Sequence, residues 1–85
     1  GYTYLGFAEA IDERGYVQIT QRNKFSVGET IEIMKPDGAN VLVKVKAIYD
    51  EEGNFAESAP HPQQKLFVDL GGGVQVYDIL RRSEA

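Results

Sequence analysis

Gln21-Arg22-Asn23-Lys24-Phe25-Ser26-Val27-Gly28-Glu29-Thr30-Ile31-Glu32-Ile33 joins a polar, basic corner to a strand that opens after a glycine. Ile31 and Ile33 fall on alternate positions, the period of a strand with one buried face. A helix would instead repeat its apolar residues at three and four. The stretch reads as a corner of a small β-barrel, and the same rhythm runs on either side of it.

Upstream, Tyr4 to Ile11 is expected to be a strand with Leu5, Phe7 and Ile11 on one parity. Glu9 shares that parity, which predicts a bulge or an open barrel end there. Asp12-Glu13-Arg14-Gly15 is a tight hairpin turn into Tyr16 to Gln21, where Val17 and Ile19 point inward. Downstream, Lys35-Pro36-Asp37-Gly38 carries a type I turn, with Pro36 presetting φ and Gly38 closing it. Val41, Val43 and Val45 then alternate with Leu42, Lys44 and Lys46, and Ala47-Ile48-Tyr49 continues past a bulge. Asp50-Glu51-Glu52-Gly53-Asn54 is a second acidic turn. Ala59-Pro60-His61-Pro62 is an extended, stiff connection, because its prolines cannot donate to a ladder. Gln64 to Leu70 and Tyr77 to Leu80 complete the strands, Gly71-Gly72-Gly73 is a flexible loop, and Arg81 to Ala85 is a frayed tail. The fold expected is all-β: one domain over residues 1–85, a six- to seven-stranded antiparallel barrel, closed or nearly so.

Composition bounds the function. Eighty-five residues leave room for one core, and a chain of this size buries only about 60–65% of its unfolded surface. There is no cysteine, hence neither a disulfide framework nor a thiolate metal site. A net charge of −4 speaks against a general nucleic-acid binder but leaves room for a local basic patch. No apolar run approaches the ~20 residues that span a bilayer, and no charged-then-apolar leader opens the chain. The expectation is a cytoplasmic protein. Gly1 stands where a full chain would have Met, which reads as a piece of a longer protein or a processed chain.

No complete catalytic set emerges. His61 is the single histidine, held between Pro60 and Pro62, without a carboxylate or nucleophile that the sequence places beside it. The acidic segments lack the alternate-position ligands of a calcium loop and sit where turns are expected. Phe25-Ser26-Val27-Gly28 is not a nucleophile elbow, and Gly71-Gly72-Gly73 lacks the lysine of a phosphate-binding loop. Basic residues carry the strongest remaining signal: Arg22 and Lys24 around Asn23, Lys44 and Lys46 on one strand, and Arg81-Arg82. With exposed aromatics (Tyr2, Tyr4, Tyr16 and Phe67 are candidates), such residues bind single-stranded nucleic acid by charge and stacking. A solvated strand face is the plainer alternative.

Three segments, Gln21-Arg22-Asn23-Lys24-Phe25-Ser26-Val27-Gly28, Ala59-Pro60-His61-Pro62-Gln63-Gln64 and Tyr77-Asp78-Ile79-Leu80-Arg81-Arg82, resemble in order and spacing the C-terminal domain of the collagenase-like peptidase family, peptidase family U-32. Tyr4-Leu5-Gly6 and Tyr49-Asp50-Glu51-Glu52-Gly53 fit as well, so the resemblance covers most of the chain. It implies a small barrel similar to the second domain of translation elongation factors. It also implies a separate, larger N-terminal domain that carries catalysis and serves as this domain's partner. Parent proteins are named as peptidases, hence hydrolases, while some relatives hydroxylate RNA with cysteine-held iron–sulfur clusters. A chain without cysteine cannot hold that cofactor.

The resulting expectation is an accessory domain, monomeric and not itself an enzyme, with no cofactor and no metal. Arg22, Asn23 and Lys24 with His61, Gln63 and Gln64 form its binding surface. That surface positions a macromolecular substrate, protein or RNA, or the domain docks on the catalytic part. The alternative is an RNA-binding module of an RNA-hydroxylating relative, with Lys44 and Lys46 adding to the charge.

Overall fold

The computed structural model describes residues 1–84. Nine strands follow in chain order: β1 Tyr2–Phe7, β2 Ala10–Ile11, β3 Val17–Thr20, β4 Thr30–Met34, β5 Val41–Lys44, β6 Ala47–Tyr49, β7 Phe55–Ala56, β8 Lys65–Asp69 and β9 Ile79–Ser83. They form two antiparallel sheets, ordered β1-β9-β4-β5 and β2-β3-β8-β6-β7. The all-β expectation holds, and the two sheets are not joined by a closing ladder.

Nine strands appear where six or seven were expected because two long alternating runs bend from one sheet into the other. Tyr4 to Ile11 breaks at Ala8-Glu9 into β1 and β2, and Val41 to Tyr49 breaks at Val45-Lys46 into β5 and β6. Backbone bonds hold both corners: Glu9 N–H donates to Gln18 O at 2.8 Å, and Val45 N–H donates to Glu29 O at 2.9 Å. β7 is a two-residue strand that the acidic turn at 50–54 folds back onto β6. In that turn Gly53 N–H reaches Asp50 O at 3.1 Å.

Leu5, Ile19, Phe25, Ile31, Ile33, Ile48, Leu66, Val68 and Leu80 fill the space between the sheets. Parity is broken once on β1. The register against β9 slips between Tyr4 and Gly6, so Leu5 faces the core while Phe7, expected inside, is 38% exposed. Gly6 permits the slip. Its φ is +147°, and a Cβ there would lie 3.0 Å from the backbone oxygen of Thr20.

Of the frayed tail expected at 81–85, residues 81–83 are instead strand. Arg81, Arg82 and Ser83 belong to β9, which pairs on one edge with β1 and on the other with β4. Ladder bonds on both sides and the ion pair from Arg81 Nε to Glu32 Oε1, 2.7 Å long, hold this segment in place. Ala85 lies outside the described residues. No helix among the described residues is long and apolar enough to cross a membrane.

Candidate functional site

The corner 21–26 and the proline-flanked connection 58–64 run side by side in opposite directions. They are clamped at both ends. Gln21 N–H donates to Gln64 O at 2.8 Å, and at the other end Val27 N–H donates to Glu57 O at 2.8 Å next to an isolated Ser26–Ser58 bridge. Between the clamps the two segments bow apart. Pro60 and Pro62 offer no N–H to bridge the gap, so the bowing follows from the residue types. The resulting cleft has a volume of about 230 Å³ and is lined by Gln21 to Lys24 on one side and Ala59 to Pro62 on the other.

Gln21 is the cross-tie. Its side chain is buried, and Nε2 donates to the carbonyl oxygens of His61 at 3.1 Å and Ala59 at 3.5 Å. Its Oε1 is buried without a partner. Phe25, 1% exposed, anchors the corner in the core. Asn23 Nδ2 donates to Tyr4 O at 2.8 Å, and Arg82 Nη1 donates to Lys24 O at 3.1 Å. Side-chain bonds to Glu84 and then Glu29 hold the Arg82 pKa above its ordinary value, so this support stays charged. The corner backbone is thereby fixed from both sides, leaving the Arg22 and Lys24 side chains exposed.

Four of the six residues expected from sequence line the cleft: Arg22, Asn23, Lys24 and His61. Gln63 and Gln64 do not. Gln64 shapes the loop instead, with Oε1 accepting the His61 N–H at 3.4 Å, and Gln63 turns the chain in the left-handed region at φ +56°. Lys44 and Lys46 are not brought to the cleft; the Lys46 ammonium lies against Gly71. Gln21 is the residue that sequence reasoning passed over. It opened the quoted motif, but a glutamine beside two cations reads as surface until the packing shows it buried.

The electrostatics are one-sided. Among the described residues neither Arg22 nor Lys24 takes part in an ion pair, and no carboxylate lines the cleft of a chain that is acidic overall. The lining also holds no serine, threonine or cysteine. No group of three or more His, Cys, Asp or Glu gathers among the described residues to hold a metal. The arrangement can bind an anionic or hydrogen-bonding ligand, and it contains no nucleophile paired with a base.

Residues 1–81 match the family model of the peptidase family U32 C-terminal domain. The chain belongs to that family. Two solved structures that it resembles are of the C-terminal domain of a Geobacillus thermoleovorans protein described as a "putative U32 peptidase". One superimposes with a TM-score of 0.81 at 27% identity over 98% of this chain and 93% of that one. The other, a selenomethionine variant, gives 0.80 at 28% identity over 93% and 98%. Among curated proteins the chain is 29% identical over 84 residues to tRNA hydroxylation protein P1 of Bacillus subtilis (strain 168). It covers 98% of its own length there and spans only 20% of that relative.

Proposed function

We propose that this U32 domain is a non-catalytic accessory module that positions an RNA substrate for the larger catalytic part of its parent protein. The observation that carries the reading is the cleft itself. Two cations, an amide and an imidazole converge there, with no ion pair to either cation and no carboxylate in the lining among the described residues, against a net charge of −4 for the whole chain. Local positive charge on an acidic protein favours a polyanion at one place and repels it elsewhere. The name of the Bacillus subtilis relative, a tRNA hydroxylation protein, supports RNA over peptide as the polyanion. An RNA substrate also carries the expectation of a cytoplasmic protein.

Titration of a structured RNA that carries unpaired loops into the domain at low and moderate salt tests this. Binding should weaken as salt rises, and Arg22→Ala and Lys24→Ala should each reduce the salt slope by about one phosphate contact. Absence of binding at low salt, or binding indifferent to both substitutions, would remove RNA as the ligand. Cleavage of gelatin by the domain alone, lost in His61→Ala, would overturn the accessory role altogether.

A further inference from the structure

A row of exposed aromatic rings runs from Tyr4, which two cleft residues, Arg22 and Asn23, contact. Tyr2, Tyr4 and Phe7 lie on the outer face of β1, opposite Ser83, Arg81 and Ile79 of β9. The one-residue slip at Gly6 keeps all three on that face, while Leu5 and Leu80 take the core side. Their exposures are 58%, 39% and 38%, and Tyr77, 74% exposed, extends the row by stacking on Phe7 at 6.4 Å. Tyr77 is held at φ +76°, a costly conformation for a ring-bearing residue, by its N–H bond to Ala8 O at 2.7 Å.

Cations accompany the rings. The Arg81 guanidinium lies 3.5 Å from the Tyr2 ring centre, and that of Arg22, a cleft residue, lies 6.0 Å from Tyr4. The Asn23 bond to Tyr4 O ties the row to the cleft. Aromatics on the other sheet behave differently. Tyr16 and Tyr49 stack on each other at 5.5 Å, Phe55 packs edge-on against Tyr49, and Arg14 caps Tyr16 while paired with Asp12. That cluster is satisfied internally. On β1, Arg81 covers one face of Tyr2 and Phe7 stacks on Tyr77, while Tyr4 stacks on no ring among the described residues and has the Arg22 guanidinium 6.0 Å away.

We propose that Tyr2, Tyr4 and Phe7 with Tyr77 form a stacking platform for unpaired nucleobases, so that the domain selects single-stranded over base-paired RNA. This rests on the RNA reading above and extends it from the phosphates to the bases. Tyr2 and Tyr4, two residues apart on an extended strand, are separated by about 7 Å. That spacing suits successive nucleotides of an extended strand, each base on one ring, with Arg22 and Lys24 on the phosphates. A duplex buries its base faces in its own stack and offers the rings nothing to cover.

Fluorescence anisotropy of the domain with a short unstructured RNA, and with a blunt duplex of equal length, tests the platform. The single strand should bind more tightly. Tyr4→Ala should weaken it roughly five- to hundredfold, the loss of one base–aromatic stack, whereas Tyr4→Phe should keep the affinity. Both side chains are exposed, so thermal melting should be unchanged, and a melt of each variant checks this. Equal binding of duplex and single strand, or single-strand binding untouched by Tyr4→Ala and Tyr2→Ala yet weakened by Arg22→Ala, overturns the platform and leaves the basic cleft standing. No RNA binding at all overturns both.

Discussion

Replacing Asp78 with asparagine should cost this domain a large share of its stability. Asp78 is fully buried, and its Oδ2 accepts from Lys35 Nζ and from the backbone N–H of Gln75 at 2.8 Å. Lys35 Nζ also donates to Gly73 O at 2.6 Å, so the pair fastens the loop before β9 to the hairpin after β4. Removing one member of a buried pair costs about 3–5 kcal/mol, because the other charge stays behind without compensation. The Lys35 side chain is 16% exposed and keeps one carbonyl partner, which places Asp78→Asn toward the lower end, ~3 kcal/mol. A domain of this length has about 4–13 kcal/mol in total, at 0.05–0.15 per residue. Lys35→Met should cost as much or more, since it strands a carboxylate with no exposure and one oxygen, Oδ1, already unpartnered. The double variant Lys35→Met with Asp78→Leu should recover most of the loss, as replacement of both charges by apolar groups usually does. Urea unfolding followed by circular dichroism measures all three. Single variants within about 1 kcal/mol of the parent, or a double variant as unstable as the sum of the singles, would refute the buried-pair account.

Gln21→Met should change the urea midpoint little, within about 1 kcal/mol, because the lost hydrogen bonds and the relieved orphan oxygen are of similar size. The same variant should loosen the 59–62 loop, read as faster amide exchange at Gln64 and weaker RNA binding. Gly6→Ala should destabilise by more than ~1 kcal/mol, since the new Cβ meets Thr20 O at a φ that alanine resists; a neutral melt would mean that the slip in β1 is not needed. Asp12 and Glu84 both titrate below their ordinary values. Hydrogen bonds from Arg14 hold Asp12 down most, and those from Thr3 and then Arg82 hold Glu84 down. Folded-state pKa values below the unfolded ones mean that the contribution is present above the unfolded values and is lost as pH falls through the folded ones. Stability measured by urea should therefore fall from near pH 4.5 downward, and Asp12→Asn with Glu84→Gln should flatten that fall.

The alternating runs made the strands legible. Val17 and Ile19, Ile31 and Ile33, and Leu66, Val68 and Leu70 all turn out buried, because a period of two leaves a strand one way to hide its apolar side chains. The hairpin turns were legible for a similarly local reason: Gly15 and Gly38 sit in the left-handed region where their turns close. Four cleft residues were named from motif alone, and the structure brings them together around one space. Phe7 was placed wrongly, because a slip of one residue is invisible to a period and depends on where Thr20 passes Gly6.

Local chemistry along the chain was enough for an all-β architecture, for the turns and for the absence of any thiolate site, since each depends on neighbours a few positions apart. Tertiary structure alone decided that Gln21 is buried, that residues 81–83 lie inside a sheet, and that Arg22 and Lys24 line the cleft with no counter-ion among the described residues. Those outcomes turn on which distant segments approach one another. Whether a polar side chain is solvated, paired or buried is settled by that approach.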